Sequence, residues 1–282
     1  MKRRTLLVVA PVVTVALAVA LGFALWPSRD AWASSCTGEI TPTRQSAEVK
    51  DAARAIQSAA RGATAGIAMV DLTGCTDVAG ANASALFPSA SVVKLLIALD
   101  ALAGKESEPA GLERMLAASD DEVASELWTA NGGAAIVHRM SERIGLQHTR
   151  PPARPGRWGE TLTSAADVAR IYQHISAKLP KERRITLTDA LSSAPRTAAD
   201  GFDQYFGIPT GLSGREWAVK QGWGSTDDRM VLNTTGMVSG KHNYVVVVLT
   251  SWPKGTSWPT ATKAVTKAVT ELQGLAGSSA LA

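Results

Sequence analysis

Ser91 and Lys94 stand three residues apart at the head of an apolar run, in Phe87-Pro88-Ser89-Ala90-Ser91-Val92-Val93-Lys94-Leu95. Three residues make nearly one helical turn, so a serine oxygen and a lysine amine at this spacing share a face. A serine hydroxyl becomes a useful nucleophile only when a neighbouring base takes its proton. A partly buried lysine with a lowered pKa is such a base. The N-terminus of the helix adds backbone N–H groups that favour a developing oxyanion. Two further short stretches carry the same kinds of group. Ser119-Asp120-Asp121 offers a hydroxyl beside two carboxylates, which is also a good helix start. Lys220-Gln221-Gly222 follows Trp217 on a predicted strand. Each stretch by itself is a weak signal, since a capping serine with a surface lysine has the same spelling.

The elements that must position these residues follow from periodicity. Ser46 to Arg61 is predicted as a helix, with Val49, Ala52, Ala53, Ile56 and Ala60 at helical spacing and Gly62 as its stop. Gly66 to Leu72 reads as a buried strand, Thr73-Gly74 as a turn, and Val78 to Phe87 as a weaker strand. Ser91 to Ala103 is an apolar helix. Residues 105–190 read as mostly helical, with breaks at Pro109, Asn131-Gly132-Gly133 and the Pro/Arg/Gly stretch 150–159. Within that block, Thr163 to Ser176 is an amphipathic helix with hydroxyls placed to cap it. Trp217 to Gln221, Met230 to Val238 and Tyr244 to Ser251 read as three strands with short links. A terminal helix places Ala261, Val265, Ala268 and Leu272 on one face. Hairpin-length links imply an antiparallel sheet, covered by the terminal helices on one side and the helical block on the other.

Taken in order, the three motifs resemble S-x-x-K, S-D-N and K-T-G, the signature of the serine β-lactamase and penicillin-binding-protein superfamily. Phe87-Pro88 ahead of the first motif, Asn131-Gly132-Gly133 after the second and Thr161-Leu162-Thr163-Ser164-Ala165-Ala166-Asp167 resemble that family as well, over about residues 45–275. The resemblance implies an α+β, β-lactamase/transpeptidase-like fold with an antiparallel five-stranded sheet, flanking helices and a helical lobe. It implies that Ser91 is acylated, that Lys94 activates it, and that Ser119 relays a proton to the leaving group with help from Lys220. The N–H groups of Ser91 and Trp223, beside Gly222, would form an oxyanion hole. Arg229 would bind a substrate carboxylate. The implied substrates are peptidoglycan D-alanyl peptides or β-lactams, with no cofactor.

Four departures from the pattern matter. Asp121 stands where the family has asparagine, and an ionised carboxylate cannot donate the hydrogen bond of an amide. Gln221 replaces a threonine. Only 28 residues separate Ser91 from Ser119, fewer than in class A enzymes. Glu160 is the nearest acid to the position of the deacylating glutamate, but it lies closer to the Thr/Ser/Ala helix start than the family's residue does. These changes affect deacylation more than acylation. The alternative reading is a catalytically degenerate cell-envelope binding protein of the same fold. An α/β-hydrolase reading fails at Gly211-Leu212-Ser213-Gly214-Arg215, which lacks the last glycine of G-x-S-x-G.

The chain's context is legible at its N-terminus. Lys2, Arg3 and Arg4 precede a stretch from Thr5 to Trp26 without a charge, and Ala31-Trp32-Ala33 has the small-x-small form of a cleavage site. Residues 1–33 therefore read as a signal peptide or as a membrane anchor, since the run approaches the ~20 residues needed to span a bilayer. Either reading places the remainder outside the cytoplasm, secreted or on the outer face of the membrane. Residues 34–45 read as a linker, 46–275 as the domain and 276–282 as a tail. The net charge of +4 is concentrated in the leader. Lys2, Arg3, Arg4 and Arg29 against Asp30 leave 25 basic and 24 acidic residues, so no nucleic-acid footprint remains. Cys36 and Cys75, an even count in an exported chain, point to a disulfide. A lipid on Cys36 is the alternative, although Ala33 is not the large apolar residue that lipidation expects three places earlier. No C-x-x-C or His-x-x-x-His spacing supports a metal site.

Overall fold

The computed structural model describes residues 30–103 and 107–277. The expected signal or anchor therefore falls outside the described residues as far as position 29, and so do the last five residues of the tail.

The fold is α+β. Five strands, β1 (Thr64–Asp71), β2 (Thr76–Ala81), β5 (Trp217–Ser225), β6 (Arg229–Ser239) and β7 (Asn243–Pro253), form one sheet in the order β2-β1-β7-β6-β5. All neighbours are antiparallel. A short second pair joins β3 (Phe87–Pro88) to β4 (Leu162–Thr163). The helices are α1 (Ala47–Ala59), α2 (Lys94–Leu102), α3 (Leu112–Ala117), α4 (Asp121–Ala130), α5 (Ala135–Ile144), α6 (Ala165–Lys178), α7 (Lys181–Ser192), α8 (Ile208–Gly211) and α9 (Trp258–Glu271).

Strand alternation divides the interior into two cores. On β7, Val245, Val247 and Leu249 face the helical block α2–α7, while Val246 and Val248 face α1 and α9. Because both faces are covered, the central strands read as unbroken apolar runs rather than alternating ones. Hydroxyl caps start three of the long helices. Ser46, Ser164 and Ser257 accept from Val49 N, Asp167 N and Thr260 N, each worth about 1 kcal/mol.

Two expectations differ in detail. The strand expected over Val78–Phe87 divides. β2 ends at Ala81, and Phe87–Pro88 leaves the main sheet to pair with Leu162–Thr163. The segment 34–45 does not hang free as a linker. The Asp77 carboxylate accepts Thr43 N and Arg44 N, and Gly80 N donates to Arg44 O at 2.9 Å. The segment thus shields the outer edge of β2. The expected disulfide is present between Cys36 and Cys75, 39 positions apart, a loop whose closure stabilises the fold by about 4 kcal/mol.

Candidate active site

Ser91 does not sit in an α-helix. It lies in a 3-10 turn, Ala90–Val93, which leads into α2, and Lys94 is the first residue of that helix. The turn is held on three sides. Ser89 N donates to Thr161 O at 2.8 Å. Asn233, on β6 and fully buried, donates through Nδ2 to Pro88 O and Ser89 O at 3.0 and 3.1 Å. Strand β5 passes so close that a Cβ on Gly222 would fall 2.9 Å from Ser89 O. Ala90 has φ +46°, an unusual conformation for alanine that these contacts maintain. Gly222 is thus required by packing against the turn that presents Ser91.

Four of the residues singled out by sequence meet here. Lys94 Nζ, fully buried, donates to Ser91 Oγ at 3.0 Å, to Ser119 Oγ at 3.1 Å and to Ser119 O at 2.7 Å. Lys220 Nζ donates to the same Ser119 Oγ at 2.9 Å. The helix-start reading of the second motif belongs to its middle residue. Asp120 caps α4 by accepting Glu122 N and Val123 N, which leaves the Ser119 hydroxyl to the two lysines. Ser119 takes φ +59°, a left-handed backbone that turns it inward.

Both lysines have lowered pKa values. For Lys94 the main cause is burial, opposed by Asp121 through charge and hydrogen bonding. The Asp121 carboxylate, largely exposed, accepts from Lys94 Nζ at 2.5 Å. Lys220 is pushed well down, first by burial and then by the charge on Lys94. Its strand is fixed by Tyr172, whose hydroxyl accepts Lys220 N at 3.2 Å, and by Thr235 Oγ1, which donates to Lys220 O at 2.6 Å.

Ser91 opens onto a cleft of about 300 Å³, which Asp121, Trp158, Glu160 and Trp223 also line. A loop clipped down by β4 carries Trp158 and Glu160 over this opening. The Trp158 ring covers Lys94 Nζ, 4.9 Å from the ring centroid, and its Nε1 donates to Ser125 Oγ at 3.2 Å. Glu160 reaches the cleft wall, but its carboxylate is held between two guanidinium groups. Arg154 Nε and Arg157 Nε each donate to it at 3.0 Å. The Arg154 hydrogen bond, with Arg157 behind it, lowers the Glu160 pKa against the effect of burial.

One expected contributor, Arg229, points elsewhere, and so does Gln221, the replacement for the family's threonine. Arg229 donates to Ser251 Oγ at 2.8 Å and to Ser251 O and Gly62 O at 2.9 Å, so its guanidinium is held towards β7 and does not line the cleft. Gln221 donates to Gln204 O and Phe206 O at 3.0 and 2.7 Å, tying β5 to the preceding loop. Sequence reasoning missed Trp158 and Asn233. Trp158 is one aromatic in an irregular stretch, and Asn233 one polar residue in an apolar strand. Among the described residues no group of three or more His, Cys, Asp or Glu side chains is placed to hold a metal ion.

No family model matches the chain. Two curated proteins of Mycobacterium bovis and Mycobacterium tuberculosis, each described as "Putative lipoprotein LppW", are 34% identical to it over 228 residues, covering 76% of this chain and 70% of theirs. Among solved structures, a β-lactamase from Chitinophaga pinensis superimposes with a TM-score of 0.64 at 18% identity, covering 81% of this chain and 99% of that one. PBP-A superimposes with a TM-score of 0.62 at 21% identity, covering 83% and 97%. At these identities the structural match establishes the fold.

Proposed function

Because the chain belongs to the family of the mycobacterial LppW proteins and has the fold of the serine β-lactamases and penicillin-binding proteins, we propose that it is an exported active-site-serine hydrolase. Its acyl donors are D-alanyl peptides of peptidoglycan or β-lactams, and its acyl-enzyme hydrolyses slowly. The observation that carries the reading is the hydrogen-bonded series Ser91–Lys94–Ser119–Lys220, which runs inward from Ser91 at the cleft.

In acylation, Lys94 in its neutral form takes the Ser91 proton as Oγ attacks the acyl carbon. Ser119 passes a proton to the leaving nitrogen, replenished along the Lys94/Lys220 network. Ser91 and Trp223 both line this cleft, and their backbone N–H groups are the donors that would receive the oxyanion. Deacylation needs a base beside a water on the open side of the ester. Of the two carboxylates that line the cleft, Asp121 is paired with Lys94 and Glu160 already accepts from Arg154 and Arg157. A missing general base costs about 10²–10⁴ in rate, so the adduct persists.

The test is intact mass after incubation with a penicillin. We expect one adduct per chain, none with Ser91→Ala, and an adduct lifetime changed less than about threefold by Glu160→Gln, far below the factor for loss of a working base. Fast turnover abolished by Glu160→Gln would make Glu160 the deacylating base. The Lys94–Asp121 ion pair favours a second reading, a binding protein that has lost its chemistry. Absence of any adduct with β-lactams and D-alanyl thioesters would establish that one.

A further inference from the structure

Asp30 to Cys36 contains both positions at which the exported chain would be trimmed: after Ala33 by a signal peptidase, or before Cys36 by lipoprotein processing. The folded domain uses both. The Asp30 carboxylate accepts Arg184 Nε and Nη2 at 2.6 and 2.8 Å, and the Arg184 side chain is only 12% exposed. Trp32 is buried in the core beneath the helical block. Its carbonyl accepts Ser176 Oγ, a fully buried hydroxyl, at 2.7 Å. Ala31 O accepts Asn243 Nδ2 at 2.7 Å, and Ser34 N donates to Ser176 O at 3.2 Å. A cut after Ala33 would remove a core aromatic, strip Arg184 of its carboxylate and leave the Ser176 hydroxyl without an acceptor. Buried groups left unpaired in this way are costly. A lipid on Cys36 needs a free thiol, and that sulfur is bonded to Cys75.

We infer that the chain is not trimmed at Ala33 or at Cys36, and that the domain stays covalently joined to its basic, apolar N-terminal segment as a membrane tether. The inference rests on the export reading above and is independent of the chemistry at Ser91. It also orients the site. The clasp sits at the Asn243 end of β7, whereas Trp223 and Gly224 at the cleft pair with Leu232 and Val231, and Val231 with Ser251. Asn243 and Ser251 are separated by about 25 Å of strand, at roughly 3.3 Å per residue. The cleft therefore opens at the end of the sheet away from the tether.

The experiment expresses the full-length chain in a mycobacterial host and takes the protein from the detergent-extractable membrane fraction. N-terminal sequencing, intact mass and thiol alkylation are then measured. We expect an N-terminus at the first residues, no lipid mass and no alkylatable thiol. Membrane retention of Cys36→Ser should equal that of the parent. An N-terminus at Ser34, at any other internal position, or a diacylglycerol mass on Cys36 overturns the tether while leaving export intact. Free thiols in both cysteines overturn export and the tether together. A soluble Cys36→Ser protein, released from the membrane, would also overturn the inference, because it would assign the anchorage to Cys36.

Discussion

At the scale of single residues, the decisive question is the protonation of Lys94. Its three ammonium hydrogens are shared among Ser91 Oγ, two oxygens of Ser119 and the Asp121 carboxylate, and an ammonium cannot accept the Ser91 proton. Burial depresses the Lys94 pKa, and Asp121 acts in the opposite direction. Removing the charge at position 121 therefore lowers the Lys94 pKa further and enlarges the neutral fraction near pH 7. Asp121→Asn should move the rising limb of the acylation–pH profile to lower pH. At pH 7 it should raise the acylation rate by roughly tenfold, a modest part of the 10²–10⁴ available from a general base. The profile is read from the rate of adduct formation by mass at several pH values. An unmoved limb would mean that Asp121 does not control Lys94. The meeting of Ser91, Lys94, Ser119 and Lys220 is legible in the sequence because the three motifs fix residue type and spacing together. The direction of Arg229 is not, since two backbone carbonyls and Ser251 decide it and neither Gly62 nor Ser251 carries a signature.

At the scale of elements, the site depends on how closely β5 approaches the turn that bears Ser91. Gly222→Ala would place a methyl group 2.9 Å from Ser89 O and 3.2 Å from Val92 Cγ2. A backbone carbonyl cannot rotate away as a side-chain tip can, so the turn must shift as a unit. A misplacement of about 1 Å costs roughly 10² in rate. We expect Gly222→Ala to lower acylation by about that factor, with circular dichroism unchanged, and acylation within threefold of the parent would sink the argument. The elements themselves were only partly legible. The amphipathic faces of α1 and α9 appear at Val49, Ala52 and Ile56 and at Ala261, Val265 and Ala268, all buried as their spacing predicts. Strands β5, β6 and β7 run past their expected ends, β5 most of all because Trp223 to Ser225 continue it without apolar alternation, whereas β2 stops short of the strand expected over Val78–Phe87. The apolar run from Ser91 predicts α-helix at once, where the structure has a 3-10 turn over Ala90–Val93. Local sequence permits either form, and contacts with Thr161, Asn233 and Gly222 select the tighter one.

At the scale of the whole molecule, the N-terminal clasp closes the structure. Polar composition predicts a linker over 34–45, and Ala31-Trp32-Ala33 has the form of a cleavage motif. Yet Trp32 belongs to the same core as Leu72, Ile175 and Leu187, residues that lie just after β1, in α6 and in α7. Truncating a buried Trp to Ala typically costs about 3–5 kcal/mol, through lost transfer energy and the cavity that remains. For a domain of this size each kcal/mol lowers Tm by about 2–4 °C. Trp32→Ala in the full chain should therefore lower Tm by roughly 10 °C. The cleft lies at the other end of the sheet, so the penicillin adduct should still form at 25 °C at a rate within about threefold of the parent, the two sites being too far apart to couple strongly. Calorimetry and adduct mass on the same preparation check both halves. A Tm within 2 °C of the parent would show that residues 30–33 are not part of the cooperative fold, and it would leave the cleavage motif free to act as a processing site.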